Sequence, residues 1–137
     1  MFCGCVDIPI LSFIARELLP TVPSFHAFSG NMPIVREFRF FVRDNVISHW
    51  QPYWPENSIE GHTQDPDWRQ KLETLNQITN QEFMLLSSQS LDVGKVLDDF
   101  WSIDWLQVGL DWYLTDVAIG SSSYAYDRQT GERIEAP

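Results

Sequence analysis

From Phe38 to Arg43 the chain alternates: Phe38, Phe40 and Val42 fall on one side, Arg39, Phe41 and Arg43 on the other. A period of two belongs to an extended strand, whose successive side chains point to opposite faces. One face of this strand is apolar. Asp44-Asn45 then supplies a two-residue turn, and Val46, Ile47 and Trp50 continue into a return strand. The alternation reappears between Ile103 and Ile119, through Leu106, Val108, then Leu110 or Trp112, and Leu114. Tyr124 to Ile134 reads as a further hairpin, turning around Asp127 to Gly131.

Helical spacing fills the middle. Asp65-Pro66-Asp67 is a helix start, a capping carboxylate followed by Pro at the first helical position. Trp68, Leu72, Leu75 and Ile78 recur at helical intervals, so a helix is expected over about residues 66–78. A second, over about residues 80–98, carries Phe83, Leu86, Val93, Val96 and Leu97 and is expected to break near Ser87 to Leu91. Residues 51–65, with two Pro and a Gly, read as a loop, as does Ser29 to Pro33. Residues 8–19 are apolar enough to be buried, and periodicity does not decide between helix and strand there. The expected product is one α+β domain over residues 1–137, an antiparallel sheet with helices packed on one face.

Length and composition agree: 137 residues, 44% apolar and 14% aromatic with six Trp, describe a folded chain with one core. The net charge of −10, from 19 acidic and 9 basic side chains, argues against nucleic acid as a partner, because phosphate binding relies on a basic stripe. It permits metal binding by carboxylates or docking on a basic protein. No apolar run approaches the ~20 residues that span a bilayer. Pro9 and Ser12 interrupt the stretch from Ile8 to Ile14, and no basic n-region accompanies it, so a cytoplasmic protein without a membrane partner is expected. Cys3 and Cys5 are too close for an unstrained disulfide and too few for zinc. His26, His49 and His62 show no ligand spacing and read as loop or surface residues. No Gly-rich phosphate loop, nucleophile elbow or paired Cys motif occurs. Trp101, Trp105 and Trp112 read as core and sheet-face packing.

Asp104 and Asp116 are the candidate chemical residues. The segment between them must reverse, and Gly109 and Asp111 supply turn chemistry. With a three-residue loop, Gly109-Leu110-Asp111, Val108 faces Trp112 and Asp104 lies directly across from Asp116. Cross-strand like charges are destabilising, and a divalent cation would convert that repulsion into coordination suited to Mg²⁺. A two-residue loop instead sends the aspartates to opposite faces, and the plain alternative is a solvated hairpin with scattered Asp.

The segment W-S-I-D-W-L-Q-V-G-L-D-W-Y-L-T-D-V-A (Trp101 to Ala118) resembles the paired strands that close the nucleotide site in ATP-grasp enzymes. There one strand carries an Asp and the next Glu-x-Asn, which hold Mg²⁺ against the ATP phosphates. Asp104 matches the first acid and Asp116 the second, whereas Ala118 stands in place of the Asn. Arg36 to Glu56 is similar to a subgroup of ATP-grasp proteins, some encoded by phages, in which a Pro-Ile-x-Arg-Glu-Phe-Arg strand precedes a Pro-Tyr-Trp segment. Phe13 to Pro20 (F-I-A-R-E-L-L-P) resembles the hinge strand of that subgroup, which meets adenine and ribose. The resemblance runs over roughly residues 10–127.

The resemblance implies the carboxy-terminal half of an ATP-grasp domain, related to ligases that phosphorylate a carboxylate with Mg-ATP and join it to an amine. It assigns Arg36 and Arg39 to phosphate or acyl-phosphate contact, a role suited to guanidinium geometry. Arg16 and Glu17 are assigned to the ribose, and Asp104 and Asp116 to the metal. Against this, alternating arginines also serve simply to cover a solvent face, and Arg16-Glu17 also suits a charged pair ending a buried strand. The family's first lobe, with its phosphate-holding lysines, has no counterpart, and Lys71 and Lys95 both fall in expected helices. The implied partner is a nucleotide, and for the missing lobe three readings stand: the chain is a fragment, a second polypeptide supplies that lobe, or the fold persists for binding alone. A rival of another class is a small acidic binding protein, of toxin-immunity or inhibitor type, that docks on a basic partner in a salt-sensitive way.

Overall fold

The computed structural model of the protein describes residues 14–137; Cys3, Cys5 and the start of the apolar stretch, Phe13 included, lie outside them. The architecture is α+β with antiparallel sheets, as the alternation and helical spacing imply. The central sheet has four strands: β3 (Glu37–Arg43), β4 (Val46–Pro52), β5 (Phe100–Val108) and β6 (Asp111–Ile119), in the order β4-β3-β5-β6. Asp44 and Asn45 both adopt left-handed backbone, with φ of 50° and 62°, and make the tight turn between β3 and β4.

Phe38, Phe40 and Val42 of β3 join Ile103 and Trp105 of β5 on one sheet face. A single helix covers that face, α3 (Asn80–Leu97), through the fully buried Leu86. The expected break near Ser87 to Leu91 is absent. Buried positions in α3 are Leu86, Ser90 and Gly94, a stripe at helical spacing in which only one residue is a large hydrophobe. Ser90 Oγ accepts from Trp105 Nε1 at 2.8 Å, and a Cβ on Gly94 would stand 2.5 Å from Val42 Cγ1. Small residues let the helix lie close to the sheet, so the contact is invisible to a search for apolar spacing. At its start, Thr79 Oγ1 accepts from the Glu82 amide at 3.2 Å while a Glu82 oxygen accepts from the Thr79 amide at 2.9 Å.

The opposite face is also covered in part, unlike the single apolar face of the sequence reading. Phe41 and Phe100 are buried there beneath Ala125, with Ile134 and Ala136 packed alongside. These come from β7 (Ala125–Tyr126) and β8 (Arg133–Ile134), the expected terminal hairpin, and the residues after it. A third cluster joins the ribbon β1 (Phe25–Ala27) and β2 (Met32–Ile34) to the short α1 (Glu56–Ile59), within the expected loop, and to α2 (Trp68–Leu75). That helix is shorter than the expected 66–78. Asp65 Oδ1 accepts from the Asp67 amide at 2.9 Å in a turn ahead of it, and Ile78 leaves it to join the α3 cluster. Residues 14–23 belong to no helix or strand. Among the described residues no helix is long and apolar enough to cross a membrane.

Candidate functional site

The β5–β6 loop has two residues, Gly109-Leu110, with Gly109 at φ +63° and Val108 facing Asp111. It is not the three-residue loop that was to bring the aspartates together. They are nevertheless opposed. The register shifts by one between Asp104 and Trp105, with Trp105 facing Leu114 and Asp104 facing Asp116, so Thr115 is the extra residue of a β-bulge. Thr115 Oγ1 donates to the Asp104 carbonyl at 3.2 Å, fixing the irregularity. A bulge thus restores the pairing that the shorter loop removes.

On the other side of β5, Asp104 faces Arg39 of β3. Arg39 Nε donates to Oδ1 and Nη2 to Oδ2, both at 2.7 Å, and Nη1 donates to the Tyr124 carbonyl at 3.2 Å. The guanidinium lies 4.8 Å above the Tyr53 ring. Arg39, Asp104 and Asp116 therefore form a row across three adjacent strands. Asp104 is buried at 3% exposure and Asp116 is exposed. Burial raises the Asp104 carboxyl above its ordinary value, and Arg39 opposes that rise. The two short bonds from Arg39 fix it as a carboxylate at neutral pH. Asp104 in turn holds Arg39 protonated against its own burial.

Glu37 shares this face, two residues before Arg39, and its Oε2 accepts from Trp54 Nε1 at 3.0 Å. Burial pushes its carboxyl up to about 7; the Trp54 bond opposes this, and the nearby Asp104 adds to it. Glu37 and Tyr53 are the residues the sequence reading missed. Glu37 was legible, since the strand period places it beside Arg39. Tyr53 was not, because it reaches the site only through the return of β4.

Arg36 lies just before β3, against Phe38 and Trp112 on the α3 side of the sheet, three residues from Arg39 and not joined to it. Its Nη1 and Nη2 donate to the two Glu82 oxygens at 2.6 and 2.9 Å, Nη1 also donates to Gln107 Oε1 at 2.9 Å, and its guanidinium stacks 5.1 Å above Trp112. It fastens the start of α3 to the sheet and draws the Glu82 carboxyl down to about 2. Arg16 donates to the Thr115 carbonyl, which brings it to the bulge beside Asp116, whereas Glu17 is simply exposed. His49, expected at the surface, sits half-buried in β4 with Nε2 3.2 Å from Gln51 Oε1 and 3.1 Å from the Tyr126 carbonyl. Its burial lowers its pKa.

Asp104 and Asp116 are two carboxylates brought face to face, a donor type that suits Mg²⁺; both Asp104 oxygens already accept from Arg39, and Asp116 is the exposed one. Among the described residues no cluster of three or more acids, His or Cys is placed to ligate a metal unaided. None of the hollows of about 690, 650 and 600 Å³ is lined by Arg39, Asp104 or Asp116. The row runs from a covered end, where Arg39 and Asp104 are buried against Tyr53 and the Tyr124 carbonyl, to an exposed one at Asp116. The sequence matches no protein-family model, no characterised protein matches it, and no solved structure matches it.

Proposed function

We propose that this chain is an ATP-grasp-like, Mg-nucleotide-binding domain related to ATP-dependent carboxylate–amine ligases, acting in the cytoplasm. The observation that carries the reading is the row Arg39–Asp104–Asp116 across three adjacent strands, with its outer carboxylate exposed. In such ligases the γ-phosphoryl group passes to a carboxylate oxygen with departure of ADP. An amine then attacks the acyl carbon and phosphate leaves. Asp104 and Asp116 would hold Mg²⁺, which supplies charge neutralisation for phosphoryl transfer. Arg39 keeps N–H groups free on its terminal nitrogens after its bonds to Asp104 and Tyr124, and these serve a phosphoryl oxygen. Arg16, at the bulge, and its neighbour Glu17 are the nearest side chains for the rest of the nucleotide in this reading.

The exposed end of the row at Asp116 bears on the partner. A nucleotide resting on it needs a second wall, and the two lysines of the chain are engaged elsewhere, Lys71 with Asp65 and Lys95 with Asp92. We assign that wall, and the lysines that hold the phosphates, to a second polypeptide.

A thermal-shift titration with ATP, with and without Mg²⁺, tests the reading. The melting temperature is expected to rise only when both are present, because a ligand at ~100 times its Kd adds about 2.7 kcal/mol. Asp116→Asn, at an exposed position with no ion pair among the described residues, should leave unliganded stability within about 0.5 kcal/mol and remove the Mg²⁺-dependent rise. An unchanged rise in that variant, or none in the wild type at millimolar nucleotide, sinks the assignment. Salt-sensitive association with a basic protein, with no response to ATP, would favour the acidic-binder alternative.

A further inference from the structure

The chain carries ten net negative charges, and most of its cations are neutralised locally: Arg36, Arg39, Arg69, Lys71 and Lys95 each have a carboxylate within 4.0 Å. Arg43 and Arg133 have none among the described residues, and both line one hollow of about 600 Å³. That hollow lies at the far end of the central strands. Arg43 faces Phe100 across β3 and β5, four residues along from Arg39 and Asp104, or about 13 Å. Phe41 and Ser102 occupy the intervening positions, and Phe41 is roofed by Ala125. The hollow is therefore separate from the row of charged side chains.

We propose that this hollow binds a phosphate monoester, with Arg43 and Arg133 as the anion clamp. Each guanidinium rests on an aromatic ring, Arg43 at 3.9 Å over Phe100 and Arg133 at 5.7 Å from the Tyr124 centroid. A stacked guanidinium is held in place while the N–H groups of its edge point outward, the arrangement that grips a phosphate through paired bonds. The rim comes from the 3₁₀ turn Gly120–Ser122 after β6. A Cβ on Gly120 would lie 2.6 Å from the Phe100 ring, so glycine is what allows the turn to close over that ring. The closure brings Ser121 to the edge of the hollow as a further donor. The Ser123 hydroxyl is engaged, donating to the Ile119 carbonyl at 2.8 Å and lying 2.6 Å from Ser102 Oγ.

The walls decide the class of anion. Phe100, Ile134 and Ala136 give an apolar side, which favours an organic ester over inorganic phosphate. Two guanidiniums match the near-dianionic charge of a monoester at neutral pH better than a single carboxylate. Glu135 also lines the hollow and opposes an anion there, leaving the site with one net positive charge.

The test uses phenyl phosphate as probe on the full isotope-labelled chain, followed by amide shifts at constant ionic strength. Saturable shifts are expected at Phe100, Ser121 and Arg133. Arg43→Gln and Arg133→Gln should each weaken binding about tenfold, since each removes charge-assisted bonds, whereas Glu135→Gln should tighten it about twofold. Inorganic phosphate should bind more weakly than phenyl phosphate. Ser121→Asp, at an exposed rim position, should abolish binding without touching the core, which covers the case of an arginine variant that folds poorly. Asp116→Asn should leave phenyl phosphate binding intact, so this site and the nucleotide site fail independently. Non-saturating shifts, equal affinity for inorganic phosphate, unchanged affinity in both glutamine variants, or loss of binding in Asp116→Asn would overturn the proposal.

Discussion

Asp104 has two tasks, because the residue offered to a cation is also the counterion of a buried arginine. Its side chain is 5% exposed and that of Arg39 11%, so removing the charge leaves Arg39 without compensation. Asp104→Asn is expected to lower stability by about 3–5 kcal/mol, the usual cost of breaking a buried pair from one side, measured by urea unfolding. Loss of nucleotide binding in that variant would be ambiguous, which makes Asp116 the informative position. Glu37 makes a different prediction. Its folded pKa of about 7 lies above the ordinary value of 4.5, so the folded state holds this proton more tightly than the unfolded state does. The resulting stability is fully present below pH 4.5 and is lost as pH rises through 7. Glu37→Gln should flatten the fall in unfolding free energy between those values and make the variant the more stable form at pH 8. An identical pH dependence in wild type and variant would mean that Glu37 titrates normally.

Among the elements, α3 shows most plainly how packing overrides apolar pattern. A methyl group on Gly94 would collide with Val42, which is 1% exposed and cannot move outward. Gly94→Ala gains helix propensity of about 1 kcal/mol but overpacks the helix–sheet contact at about 1–3 kcal/mol. A net loss of stability is expected, recovered in part by pairing it with Val42→Ala. A stabilised single variant would show that α3 stands further from the sheet. The bulge at Thr115 is the other local device with wide consequences. Without it, a two-residue loop would turn Asp116 to the α3 face, and no row of charges would exist.

Across the whole molecule, a buried amide is among the links that join the terminal hairpin to the sheet. Gln51 is 1% exposed; its Nε2 donates to the Tyr124 carbonyl at 3.1 Å and its Oε1 accepts from the Tyr126 amide at 2.9 Å. Tyr126 adds a bond from its hydroxyl to the Pro52 carbonyl at 2.6 Å. Gln51→Leu would strand the buried Tyr126 amide, at about 1–3 kcal/mol, while the Tyr124 carbonyl keeps its bond from Arg39, and should speed amide exchange at Tyr126 by more than at Phe40. Equal exchange would mean that the hairpin docks without this side chain. Much of the chain's layout was written locally: the β3–β4 hairpin in Phe38 to Trp50, the turn at Asp44-Asn45, and the closing hairpin around Asp127 to Gly131. Side-chain period and turn chemistry are properties of neighbouring residues, so the sequence alone determined them. Tertiary structure decided that β5 pairs with β3 across an intervening strand and three helices, and hence that Arg39 meets Asp104. It decided also that Ser90 and Gly94 serve as contact points and that Thr115 bulges. Those choices depend on which surfaces fit once the chain collapses, and no local period encodes the shape of a distant partner.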